Sequence, residues 1–168
     1  ASSLDLLGNV HESAGALEGA DRAFAAALAI RERLLPDSLV VARNLNNAAA
    51  VARGRGDLDR AAAAMRRALA IAERLAPGSL FAASALNNLG ILALQRGNPA
   101  LAADLYRRSL ALKQDLAPDS LAVAASLSSL ANVELAAGDL EQAGVHLEAA
   151  HAITRRLAPD SMEASRVL

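Results

Sequence analysis

Apolar residues recur along this chain with a helical period. Between Leu80 and Pro118, residues Leu86, Leu89, Gly90 and Ala93 fall at i, i+3, i+4 and i+7, which is one face of an α-helix. Gly97-Asn98-Pro99 interrupts the pattern, and a second stripe follows at Ala102, Tyr106, Ser109, Leu110, Leu112 and Leu116. Each unit therefore reads as helix A, a tight turn, helix B and a proline turn. The turn glycines are Gly15, Gly56, Gly97 and Gly138, where positive φ costs little. Asp57, Asn98 and Asp139 follow three of them and are good N-caps for helix B. Asp139 with Gln142 fits a capping box. The first copy has Ala16 at the capping position, so its helix B should start less firmly. After each proline comes a serine, Ser38, Ser79, Ser120 or Ser161, placed to cap the next helix A. The pattern predicts helices over 2–14, 17–34, 38–53, 58–75, 79–95, 99–116, 120–136 and 140–157.

The unit repeats in strict register. Pro36, Pro77, Pro118 and Pro159 are spaced by 41 residues, and Leu-Ala-Pro-Asp-Ser or a close variant surrounds each. A period of this size means a stacked array. The expected fold is an all-α, right-handed α-solenoid of four antiparallel helix-pair repeats. It would form one domain over 1–168, with repeats near 1–41, 42–82, 83–123 and 124–164 and the start of a fifth at 165–168. The expectation includes truncation at both ends, because neither end carries a polar capping helix.

The motif positions are similar to those of the tetratricopeptide repeat (TPR) family, Trp-x2-Leu-Gly-x2-Tyr, Ala-x3-Phe and Pro. The first copy has Leu4-x2-Leu7-Gly8-x2-His11, Ala20-x3-Phe24 and Pro36, and the third has Leu86-x2-Leu89-Gly90-x2-Ala93, Ala102-x3-Tyr106 and Pro118. The second and fourth are looser, with Ala61-x3-Met65 and Ala143-x3-Leu147. The large aromatics of helix A are replaced by Leu and by small or polar residues. The standard repeat has 34 residues. The extra length here is about two helical turns, split on either side of the proline. This long form resembles the repeats of kinesin light chains and bacterial arrays fused to caspase-like (CHAT) proteases or signalling NTPases.

Composition narrows the function. The chain lacks cysteine, so disulfides, thiol catalysis and cysteine-based zinc sites are excluded. Its 17 basic and 18 acidic residues give a net charge of −1, against the basic footprint expected of a nucleic-acid binder. No long uncharged apolar run suggests a membrane span, and no signal peptide is visible. The expectation is a cytoplasmic chain that contacts neither nucleic acid nor membrane. His146 and His151 are five residues apart, a poor spacing for two ligands on one helical face, and no nucleophile–base–acid set or phosphate loop occurs. No metal, cofactor or enzymatic activity is expected.

The resemblance implies that one face of helix A lines a concave groove. On that face lie Asn9, Arg43, Asn46, Asn47, Asn87, Asn88 and Asn132, with Arg53 beside them. Asparagine offers a donor and an acceptor together, which suits both N–H and C=O of an extended peptide. In kinesin-light-chain-like repeats groove asparagines have that role, and Asn47 and Asn88 match them. A second reading makes these asparagines a solvated face or a set of bonds to the next helix A. A clamp for a terminal carboxylate does not fit, because Asp5, Ser84 and Asn88 stand where cations are required. The resemblance thus implies a non-catalytic scaffold for a protein or extended peptide. The alternative is an internal regulatory or self-assembly segment of a larger bacterial signalling or protease protein, whose partner is another domain of that protein or a second copy.

Overall fold

The computed structural model describes residues 2–158, and these form eight helices and no strand. They are α1 (Ser2–Ser13), α2 (Leu17–Leu34), α3 (Leu39–Gly54), α4 (Leu58–Leu75), α5 (Leu80–Gln95), α6 (Pro99–Leu116), α7 (Leu121–Ala137) and α8 (Leu140–Leu157). Substantial packing is confined to helices adjacent in the chain. The array is therefore held together by nearest-neighbour contacts, as stacked repeats are. No described helix is long and apolar enough to cross a membrane.

Boundaries follow from capping chemistry. The hydroxyls of Ser38, Ser79 and Ser120 accept from the N–H of Val41, Ala82 and Val123 at 3.2–3.3 Å. The carboxylates of Asp57 and Asp139 and the amide oxygen of Asn98 do the same for α4, α8 and α6 at 3.0–3.2 Å. Helix α2 is preceded by Ala16 at its N-cap position and so has no side-chain cap. Ser161 lies outside the described residues. At Asp139 the reciprocal arm of a capping box is not formed. Its own N–H donates instead to the Glu134 carbonyl at 2.9 Å. The same backward bond joins Ala16 to His11, Asp57 to Ala52 and Asn98 to Ala93. Each closes a left-handed turn at the intervening glycine, whose φ is 70–83°. This is the Schellman arrangement, in which one tight turn ends helix A and the next residue caps helix B.

Helices within a pair approach most closely where a small residue on helix A faces a large one on helix B. Gly8 lies under Phe24 and Gly90 under Tyr106. A Cβ on Gly8 would meet the Phe24 ring at 2.7 Å, and one on Gly90 would meet the Tyr106 ring at 2.5 Å. In the second pair the same register positions hold Ala49 and Met65, both buried. An aromatic ring thus demands glycine opposite it, while flexible methionine tolerates alanine.

Contacts between pairs alternate in character. One helix-B position is Arg31, Ala72 and Lys113 in successive repeats, and the helix-A position that follows it is Asn44, Ala85 and Ser126. The first junction pairs Arg31 and Asn44 through Asp5, and the third joins Lys113 to Ser126. At the second both positions hold buried alanine. Within the third pair, the Ser109 hydroxyl donates to the Ala83 carbonyl at 2.7 Å.

Gly90→Ala should destabilise the array. Overpacking against Tyr106 costs about 1–3 kcal/mol, partly offset by about 0.5–1 kcal/mol of helix propensity. Adding Tyr106→Met, which recreates the Ala49–Met65 pair, should recover part of the loss. Denaturant titration of the single and double variants measures the interaction between the two sites, and strict additivity would contradict the packing account.

Candidate functional site

The predicted groove residues fall on α1, α3, α5 and α7, and the structure divides them into groups. Asn9, Arg43 and Asn47 line a hollow of about 290 Å³ together with Asp5, Arg31 and Asn44. The polar floor of this hollow is built across three helices. The Asp5 carboxylate accepts from both terminal nitrogens of Arg31, one at 2.7 Å, and from Asn44 Nδ2 at 3.0 Å. Arg31 hydrogen bonding holds the Asp5 carboxyl below its ordinary range against the opposing effect of burial, and raises Arg31 in turn. Asn44 is only 1 % exposed, and its Oδ1 has no hydrogen-bond partner among the described residues.

Asn46 and Asn88 form a second group. Asn88 Nδ2 donates to Asn46 Oδ1 at 3.2 Å, which links α5 to α3. Asn46 in turn donates to Asn47 Oδ1 at 3.5 Å, at the limit of a hydrogen bond. This pair therefore serves as a bond between successive A helices. Asn88 also borders a smaller hollow with Arg53 and Ile91. Asn87 is half-buried and Asn132 exposed. A larger hollow, about 460 Å³, lies among α4, α5 and α6 over Leu89, Leu92 and Leu105, with Arg66 and Arg96 at its border. It contains none of the predicted residues.

Besides Ser109, four buried polar residues lie outside the predicted set: Asn44, Lys113, Ser126 and Glu134. Lys113 Nζ donates to Ser126 Oγ at 2.6 Å. Burial pushes the Lys113 ammonium below its ordinary value. Glu134 sits 2.7 Å from His146 Nδ1, between α7 and α8. The available signal was the repeat register, which sets Asn44 and Ser126 against Ala85 and Lys113 against Ala72. His11 closes over Gly19 with its ring 2.8 Å from where a Cβ would stand. Among the described residues no cluster of His, Asp and Glu could hold a metal ion.

One tetratricopeptide repeat model matches residues 1–74 and 40–115, and a second matches 123–161. The chain belongs to the tetratricopeptide repeat family. Such repeats are generally protein-interaction scaffolds and are typically non-catalytic. The crystal structure of BtubC (BKLC) from P. vanneervenii is similar over 92 % of this chain, at TM-score 0.87 and 28 % identity. The present chain spans 63 % of that BtubC chain. Nearly identical TPR-like repeats assigned to a kinesin light chain of Podosopora anserina share the fold at TM-score 0.78 and 18 % identity, covering 94 % of this chain and 76 % of theirs. A variant form of those repeats gives 0.80 at 18 % identity, with coverages of 92 % and 74 %. No curated protein matches at a significant level. These neighbours agree with the long-repeat resemblance and with a TPR-like solenoid.

Asp5→Asn should cost about 1.5–3 kcal/mol at neutral pH, because it removes the charged acceptor of two Arg31 bonds. The folded carboxyl has the lowered pKa, so its contribution is complete above the unfolded value near 3.8. It fades as pH falls through the lower folded value. Denaturant midpoints of wild type and variant should be well separated at pH 7 and converge in strong acid. A constant separation would exclude ionisation of Asp5 as the cause.

Proposed function

We propose that this chain is a non-catalytic scaffold that binds an extended peptide or protein segment along the helix-A face. The observation that carries this is the hollow lined by Asn9, Arg43 and Asn47. Its floor is built on the internal Asp5–Arg31 pair and leaves Asn44 Oδ1 without a partner, and the amide donors of Asn9 and Asn47 and the Arg43 guanidinium have no partner among the described residues either. Amides at successive positions suit a backbone, which presents donors and acceptors at regular intervals. Arg43 adds a cation that can meet an acidic residue. In this reading Asn87 and Asn132 extend the same face, while Asn46 and Asn88 brace it.

Peptides selected by display on the intact chain provide the probe. Asn9→Ala with Asn47→Ala should weaken them by about 5- to 150-fold, from two lost bonds at about 0.5–1.5 kcal/mol each. The melting temperature should hold. Asn46→Ala should instead lower stability through loss of the Asn88 bond. Undiminished affinity in the Asn9/Asn47 variant would assign those residues to the scaffold.

A second reading, self-assembly or docking against another domain of a parent protein, is favoured by exposed apolar residues on α1. Leu6, Leu7 and Val10 stand 67, 46 and 64 % exposed, a patch that favours contact between molecules. Light scattering should show mass rising with concentration and falling in Leu6→Ser/Val10→Ser. A constant monomer mass would end this reading.

A further inference from the structure

Of the 17 basic residues, Lys113 alone is lysine. It is also 8 % exposed. Its ammonium can donate three bonds, and among the described residues it donates one, to Ser126 Oγ at 2.6 Å. No described carboxylate pairs with it. A buried cation in this condition is costly.

The repeat register shows what is missing. Two repeats earlier, the positions of Asn87, Lys113 and Ser126 are held by Asp5, Arg31 and Asn44. There the cation is neutralised by a carboxylate that also accepts from the following helix A. Here the cation and the hydrogen-bonding residue of the following helix are retained, but the acid is replaced by the neutral amide of Asn87. The border differs as well. Val40 and Arg43, which line the first hollow, are replaced by the exposed Ala122 and Ala125. The first position is filled from within, whereas the third keeps its cation without an acid and has small residues at the register positions of Val40 and Arg43.

We propose that Lys113 receives a carboxylate from outside, the side chain of an Asp or Glu in a bound chain, supplying the negative charge that Asp5 supplies in the first repeat. The inference rests on the scaffold reading above and adds a ligand requirement, an acidic residue seated between the third and fourth repeats. Burial lowers the Lys113 pKa, and an arriving anion would act in the opposite direction by favouring the charged form.

A single lysine makes the test direct, because protein labelled with ¹³C-lysine gives one Cε–Hε signal. At constant ionic strength, N-acetyl-glutamate α-amide should shift that signal saturably, while the uncharged N-acetyl-glutamine α-amide should not. Asn87→Asp supplies an internal carboxylate at the register position of Asp5. It should abolish the shift and raise the melting temperature. Replacing the acidic residue of a selected peptide by its amide should weaken binding about 10- to 100-fold, the range for a charge-assisted bond. No saturable shift in wild type, or an equal shift in Asn87→Asp, overturns the proposal. Asn9→Ala/Asn47→Ala should leave the lysine response intact. Failure at Lys113 with peptide binding preserved would therefore remove only the acidic requirement. A lysine response without any Asn9/Asn47 effect on peptides would remove the groove reading instead.

Discussion

The close approach of the two helices within each pair is the constraint on which the rest depends. Aromatics are 2 % of the chain, so each pair has few large side chains with which to fill its interior. Phe24 and Tyr106 fill it only because Gly8 and Gly90 let the helix-A backbone come down onto the rings. Ala49 and Met65 reach a comparable packing with a larger floor and a more adaptable filler. The left-handed glycine turns make this approach possible, since the residue that closes helix A also starts helix B. The spacing of the two helices in a pair follows from that contact.

Between pairs the chain uses a different rule. Alanine on alanine fills the second junction, and buried polar groups occupy the first and third. Apolar contact is forgiving of small displacements, whereas a buried amide or ammonium needs a partner at a particular place. The polar junctions therefore specify how neighbouring repeats are set. They also place buried charge and hydrogen-bonding groups where neighbouring repeats meet.

The helices were legible to within a residue or so at each end because glycine, proline and capping residues lie almost wholly at the turns. Helix α3 runs to Gly54 rather than stopping at 53, and α1 ends at Ser13 rather than 14. The site was legible only in outline. The asparagine row on helix A is visible from spacing, and Asn9, Arg43 and Asn47 do share a hollow. That Asn88 donates to Asn46 is a distance across helices, which spacing within one helix cannot supply. Asn44, Lys113 and Ser126 were missed for a related reason. Each looks like an ordinary polar residue on its own helix and becomes exceptional only when a neighbouring repeat covers it.

The alternation of junctions gives the array a true unit of two repeats rather than one. Excision of the second repeat would set Arg31 beside Ala85 in place of Asn44, leaving a polar cluster against a methyl group. Excision of the second and third together would set Arg31 beside Ser126, which can still hydrogen-bond. Changes in the length of this solenoid are therefore easiest in even steps, and its repeats behave as two kinds of tile that must be laid in turn.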